Sequence, residues 1–149
     1  MIFVTVGTAH FDPLLEKMDY LVESGVIKEP VVAQIGRGSF IPRNFRYFRF
    51  MRSLKPAYDR AHVIISTGGA GTIMECVKRG LRLVVVENTT LMEGHQSQLI
   101  EEMSRRGHLI WCKNLENLSL SINEALSRDF EPFISEPALV PDMIRKMLE

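Results

Sequence analysis

The residues best suited to chemistry in this chain lie between positions 62 and 80, HVIISTGGAGTIMECVKRG. Val63, Ile64, Ile65 and Ser66 run straight into Thr67-Gly68-Gly69-Ala70-Gly71-Thr72; an amphipathic helical pattern follows over 72–79, and Gly80 closes it. A buried strand that turns through glycines onto a helix start leaves backbone N–H groups unpaired at the positive end of the helix dipole, within reach of phosphate. The chemistry expected here is the binding of a nucleotide or phosphorylated ligand.

The loop does not match GxxxxGK[ST], which excludes a P-loop ATPase. A dinucleotide fingerprint is a closer decoy, because Gly69-x-Gly71 precedes a helix and Glu87 ends the next strand pattern, where a ribose-binding acid belongs. Met74, however, stands at the third glycine's place, and the loop follows the fourth strand pattern instead of the first. A turn whose glycines serve only its backbone geometry is the remaining alternative. Glu75 also has two readings. Thr72-Ile73-Met74-Glu75 fits a capping box, in which the carboxylate reaches back to the cap N–H; alternatively the carboxylate accepts hydrogen bonds from ribose hydroxyls. His95-Gln96 opens another helix after a loop, and Gln96 offers a donor and an acceptor suited to sugar hydroxyls or to its own helix cap. His10, His62 and His108 have no metal-ligand spacing, and no D-x-D pair is present to hold a divalent metal on a diphosphate. Bound phosphates would be balanced by N–H groups, the helix dipole and Arg37.

At 149 residues, 46% of them hydrophobic and with zero formal net charge, the sequence reads as one globular domain with no bulk attraction to a polyanion. Charge is nevertheless uneven. Arg37, Arg43, Arg46, Arg49, Arg52, Lys55 and Arg60 face a single acid, Asp59, in the same stretch, with Phe40, Phe45, Tyr47, Phe48, Phe50 and Tyr58 interleaved. Alternating aromatics are what a half-buried strand contains, the arginines being its solvated side; nucleic acid is not the expected partner, and a membrane surface or a partner subunit fits better. Cys76 and Cys112 read as buried thiols in a reducing compartment. With no leader pattern and no bilayer-length apolar run, the expectation is a cytoplasmic chain, brought to the cytosolic membrane face by a partner.

The elements that must position these residues follow in order. Ile2 to Val6 reads as a buried strand ending in Gly7-Thr8; Asp12-Pro13 opens a helix that Ser24-Gly25 ends; Val31 to Ile35 is a second strand and Phe45 to Phe50 a third. A short helix over Ser53 to Ala61, the glycine-loop unit, a strand Leu83 to Val86, a helix His95 to Arg106, a strand Leu109 to Trp111 and a helix Leu115 to Ser127 complete the sheet units. Residues 129–149 form a Pro-rich tail with a short helix over Asp142 to Leu148. Alternating strands and helices predict an α/β fold, a doubly wound parallel sheet whose ligand lies outside the strands' C-terminal ends.

The segments FRFMRSLKPAYDRAHVIISTGGAGTIMECVKRG and GHQSQLIEEMSRRGH resemble the C-terminal, nucleotide-sugar-binding half of GT-B glycosyltransferases of family 28, the peptidoglycan GlcNAc-transferase type. The likeness is greatest to the small soluble subunit of two-part UDP-GlcNAc transferases that build dolichol-linked chitobiose, and to their bacterial exopolysaccharide counterparts. Gly7-Thr8 followed by Phe11-Asp12 is similar to these subunits as well, and the resemblance spans about residues 1 to 112. It implies a single Rossmann-like GT-B half domain that binds a UDP-sugar without a cofactor or metal. Phe50 and Met51 would border the uracil, partly through backbone groups. Thr67, Gly68, Gly69, Ala70, Gly71 and Thr72, with Gly7 and Thr8, would face the diphosphate. Glu75 would bind the ribose, and Gln96, with His95 beside it, the sugar. The family often has His and a small residue where this chain has Thr67-Gly68. Transfer would be inverting. The general base and acceptor groove would belong to a membrane-anchored partner holding a lipid-linked acceptor, and the tail helix or the basic–aromatic stretch would dock it.

Overall fold

The structure, a computed structural model, describes residues 1–88 and 94–134, and the side chains of all of these except 94–96. A parallel sheet of six strands runs β3-β2-β1-β4-β5-β6, built from β1 (Ile2–Thr5), β2 (Val31–Gln34), β3 (Arg46–Phe48), β4 (Val63–Thr67), β5 (Leu83–Val86) and β6 (Ile110–Cys112). The helices are α1 (Asp12–Glu23), α2 (Lys55–Arg60), α3 (Ala70–Lys78), α4 (Gly94–Arg105) and α5 (Leu118–Ser127), the last led in by a 3-10 turn over Leu115–Asn117. The doubly wound α/β architecture expected from the alternation of elements is thus the observed one.

Both sheet faces are covered, which is why the strands read as continuous apolar runs instead of alternating ones. The strand period of two sends Ile2, Val4, Ile65 and Val84 to one face, against Leu14, Leu15 and Met18 of α1 and Leu118 and Ile122 of α5. Phe3, Ile64, Leu83 and Val85 point to the other, against Tyr58 of α2, Ile73 and Val77 of α3, and Leu99 and Met103 of α4. Each buried side chain of this size contributes about 1.5–3 kcal/mol relative to exposure. Gly80 ends α3 with a φ of +69°, its N–H donating to the Val77 carbonyl, a left-handed cap that a Cβ would disfavour.

The chain lays down β1, β2 and β3 outward on one side, then returns to place β4 on the other side of β1. The connections above β1 and β4 therefore diverge and open a crevice at their C-terminal ends, the topological switch point of doubly wound sheets. Next to it, the loop after β2 is fastened from two directions. Asp12 Oδ2 accepts from the N–H groups of Ser39 and Phe40, and buried Asp19 accepts from those of Arg43 and Asn44. Gly36 packs so tightly that a Cβ there would lie 2.1 Å from the Ala9 carbonyl oxygen, and its φ is +60°.

Several boundaries differ from the sequence expectations. The third strand covers Arg46–Phe48 instead of Phe45 to Phe50. Asp19 holds the backbone just before it, and Arg49, expected on the solvated side, donates back to the Gly36 and Gly38 carbonyls. Phe48 stacks on Phe3 at 6.1 Å, whereas Tyr47 and Phe50 are exposed. The expected helix over Asp142 to Leu148, and most of the 129–149 tail, lie outside the described residues. The part that is described packs back: Glu131 N–H donates to the Gly107 carbonyl, and Phe133 meets His108 edge-on at 5.4 Å.

Candidate functional site

A cleft of about 740 Å³ sits at the switch point, lined by Gly7 and Thr8 after β1, Gln34 of β2, Met51–Leu54 before α2, and Thr67, Gly69, Gly71, Thr72 and Glu75 of the glycine turn and α3. Its positive wall comes from the turn itself. Gly69 is the N-cap of α3 and donates to the Thr67 carbonyl at 2.8 Å, while Ile73 is the first residue whose N–H reaches back into the turn, to Gly69 at 3.0 Å. Among the described residues no acceptor faces the N–H groups of Ala70, Gly71 or Thr72. A Cβ added at Gly69 or Gly71 would meet nothing within 4 Å, so the backbone here is open to an incoming group.

The structure shows no capping box at Thr72 and Glu75. Helix α3 begins at Ala70, two residues earlier than the sequence pattern suggests, and no side chain caps Gly69. Thr72 is therefore already inside the first turn, and Glu75 lies a turn further on. Its carboxylate pairs with Arg79 at 3.2 Å, and Arg79 also lies 3.7 Å from Asp59, which holds Lys55 at 2.7 Å. This chain of charges joins α2 to α3 along the rim and leaves Glu75 exposed at the cleft mouth. Lys55 and Arg79 more than offset the small desolvation at Asp59, holding its carboxyl below the usual range, the Lys55 hydrogen bond first.

Under the rim, Tyr58 is buried and lines the cleft, with its hydroxyl beside the Thr72 and Cys76 side chains. Burial foremost, then the neighbouring Cys76 and Glu75, pushes the phenol above its ordinary pKa. Burial likewise pushes the Cys76 thiol up to about 12, so both groups are neutral at physiological pH. Tyr58 thus forms a packed, neutral wall of the cleft. The floor is polar: Thr5 Oγ1 donates to Gln34 Oε1 at 2.7 Å and accepts from the Gly7 N–H at 3.0 Å.

Of the residues expected from sequence, Gly7, Thr8, Met51, Thr67, Gly69, Gly71, Thr72 and Glu75 line this one cleft. Gly68 and Ala70 belong to the same turn without forming the lining, and Phe50 is an exposed neighbour, not a wall residue. His95 and Gln96 stand in the first turn of α4, and their side chains lie outside the described residues. Arg37 does not line the cleft; Arg52 is the cation that does. Sequence reasoning missed Gln34, Tyr58 and the Arg52–Leu54 segment as cleft residues. A signal for Gln34 existed: VVAQI and IFVTV are buried strands whose polar residue comes at their C-terminal end. Glu87, the acid of the dinucleotide alternative, lies in a separate cleft with Trp111 and accepts a hydrogen bond from Ser97, so it does not share the glycine turn's site.

The family model for the glycosyltransferase family 28 C-terminal domain matches residues 1–136. The chain belongs to this family. As a family 28 C-terminal domain it is 37% identical over 122 residues to the UDP-N-acetylglucosamine transferase subunit ALG13 of Mus musculus, covering 74% of this chain and 10% of that protein. It is 30% identical over 125 residues to the ALG13 of Yarrowia lipolytica, covering 74% of this chain and 63% of that one. The chain thus spans about a tenth of the mouse relative's length. Its fold is shared with the solution structure of ALG13 (TM-score 0.61, 18% identity, covering 99% of this chain and 94% of that one). It is shared as well with the MurG crystal structure from Acinetobacter baumannii (TM-score 0.66, 20% identity, covering 85% of this chain and 41% of that one). The resemblance drawn from the glycine turn and the GHQSQ segment is therefore correct at the level of family and fold.

Proposed function

We propose that this chain is the donor-binding subunit of a UDP-sugar glycosyltransferase, with UDP-GlcNAc as the donor. The observation that carries the reading is the set of unpartnered N–H groups at Ala70, Gly71 and Thr72, opening into the switch-point cleft of a family 28 domain. The diphosphate lies over these groups and beside Gly7-Thr8. Met51 and the segment after it border the uracil, Glu75 takes the ribose hydroxyls, and His95-Gln96 meet the sugar. The relatives' name, UDP-N-acetylglucosamine transferase subunit, supports both the donor and the need for a second chain.

The reaction is an inverting displacement in which an acceptor hydroxyl attacks the anomeric carbon and UDP departs. Negative charge then grows on the β-phosphate. Preorganised N–H donors at the positive end of α3, with Arg52 at the rim, stabilise that charge without requiring a metal. The acceptor must also lose a proton. Among the described residues lining the cleft the one carboxylate is Glu75, which is engaged with Arg79 and assigned to the ribose. We therefore place the base, with the lipid-linked acceptor, on a membrane-attached partner, which holds this chain at the cytosolic membrane face. No helix among the described residues is long and apolar enough to cross a membrane.

A thermal-shift panel of UDP, UDP-GlcNAc, UDP-glucuronate, GDP-mannose and NAD tests the reading. UDP and UDP-GlcNAc should raise the melting temperature, with GDP-mannose and NAD inert. Stabilisation by NAD alone, or by none of the five, would refute it.

A further inference from the structure

The face of the sheet that carries Phe3 is apolar along most of its height. Val32, Phe3, Ile64 and Leu83 stand side by side in register across β2, β1, β4 and β5. Two residues nearer the C-terminal ends the row becomes polar: Gln34 opposite Thr5, and Thr5 opposite Ser66. All three are buried, and Gln34 and Ser66 line the cleft. Polar side chains in the interior of a parallel sheet cost stability unless they are paired. Thr5 and Ser66 are paired, since Thr5 bridges Gly7 and Gln34 and Ser66 Oγ donates to the Thr67 carbonyl at 2.6 Å.

Gln34 is only half satisfied. Its carbonyl oxygen accepts from the Thr5 hydroxyl at 2.7 Å. No described residue accepts from its Nε2. Nor is that nitrogen one of the unpartnered atoms sealed from solvent, which among the described residues are Asp12 Oδ1 and Trp111 Nε1. The residue is 4% exposed and lines the cleft. A glutamine this buried, lining a cavity, with its amide oxygen bonded and its amide N–H donors neither partnered nor sealed from solvent, is suited to meet an acceptor there.

We propose that Gln34 is a nucleotide-recognition residue, donating a hydrogen bond from its side-chain amide to an acceptor oxygen of the donor nucleotide at the cleft floor. The inference rests on the nucleotide-sugar reading of this cleft and adds to it a contact from β2, an element that the glycine turn, Glu75 and the β3–α2 segment do not include. Both uracil and the phosphates offer suitable oxygens. Gln34 lies between β3, which leads to Met51, and β1, which leads to Gly7, so either can be reached from the floor.

The test uses the full chain, isotope-labelled, titrated with UDP, uridine and inorganic pyrophosphate. In the unmodified protein the Gln34 side-chain amide signals should shift as UDP is added. Gln34→Glu keeps an oxygen for Thr5 but replaces the donor with a carboxylate, and it should weaken UDP binding about tenfold or more. Gln34→Leu should weaken it without the added repulsion. Weaker uridine binding by these variants assigns the contact to the base, and weaker pyrophosphate binding assigns it to the phosphates; either supports the proposal. If the unmodified protein binds UDP while the Gln34 amide signals stay still, and both variants bind within twofold of it, Gln34 has no such role. If the unmodified protein binds none of the three, the nucleotide reading of the cleft falls and takes this inference with it.

Discussion

Replacing Gly71 with alanine separates what the glycine turn does for the fold from what it does for a ligand. Gly71 is the second residue of α3, has no left-handed φ, and a Cβ built on it meets nothing within 4 Å. The fold therefore gives no reason for glycine here, and alanine should stabilise the free protein by about 0.5 kcal/mol by restricting the unfolded chain. For a chain of this length that is a rise of about 1–2 °C. The added methyl, however, stands in the cleft beside the N–H groups assigned to the diphosphate. With UDP at a hundred times its dissociation constant, the unmodified protein gains about 2.7 kcal/mol, or about 5–11 °C. A variant binding tenfold more weakly gains only about 1.4 kcal/mol at the same concentration. The ligand-induced shift should thus be roughly halved while the ligand-free melting temperature rises. Differential scanning fluorimetry with and without UDP reads both numbers from one plate. A variant that is stabilised and still shows the full UDP shift would refute the placement of the diphosphate over this turn.

Glu75→Gln should leave stability within about 0.5 kcal/mol, because the Arg79 pair it breaks is a surface pair. By calorimetry it should lower UDP affinity and abolish the preference for UDP over its 2′-deoxy analogue. Gly36→Ala should destabilise by more than about 2 kcal/mol in urea denaturation, since the Cβ meets the Ala9 carbonyl at 2.1 Å and φ is +60°. The Cys76 thiol, pushed up by burial first and then by Glu75 to about 12, should resist iodoacetamide at pH 8.5 in the folded protein and react in urea. A thiol kept protonated only by the fold contributes stability that is full below its unfolded value near 9 and is lost as pH climbs toward 12; stability should accordingly fall across that window.

The sequence was most legible where one local pattern determines one local structure. Strands buried on both faces announce themselves as VIIS or LVVV runs, and the glycine turn announces the strand-to-helix corner that Gly69 caps. It was least legible where a side chain acts at long range. Asp12 and Asp19 look like ordinary helix residues, yet they bind backbone N–H groups 24 to 28 positions away and fix the loop after β2. Tyr58 looked like one more aromatic in a basic stretch. Only the phase of α2, set by its packing on Phe3 at 6.0 Å, turns it inward under the cleft. Thr72 and Glu75 misled for a related reason. A capping box requires Thr72 at the helix edge, and the tight Gly69-to-Thr67 hydrogen bond starts the helix two residues sooner.

The polar row beneath the cleft also has an energetic consequence that can be measured without any ligand. Thr5 and Gln34 are buried and bonded to each other, so removing either alone strands a polar group in the sheet. Thr5→Val leaves the Gln34 carbonyl oxygen and the Gly7 N–H without their partner; Gln34→Leu leaves the Thr5 hydroxyl proton without an acceptor. Each should cost about 1–3 kcal/mol. The double variant removes both members together and lets apolar atoms meet in a row already flanked by Phe48 and Val85. It should therefore cost less than the sum of the singles by about 0.5–3 kcal/mol, the range for directly coupled residues. Urea titrations of the four proteins close the cycle. Additive costs would mean that the two side chains do not constrain one another, and that the orientation of the Gln34 amide is set by something other than Thr5.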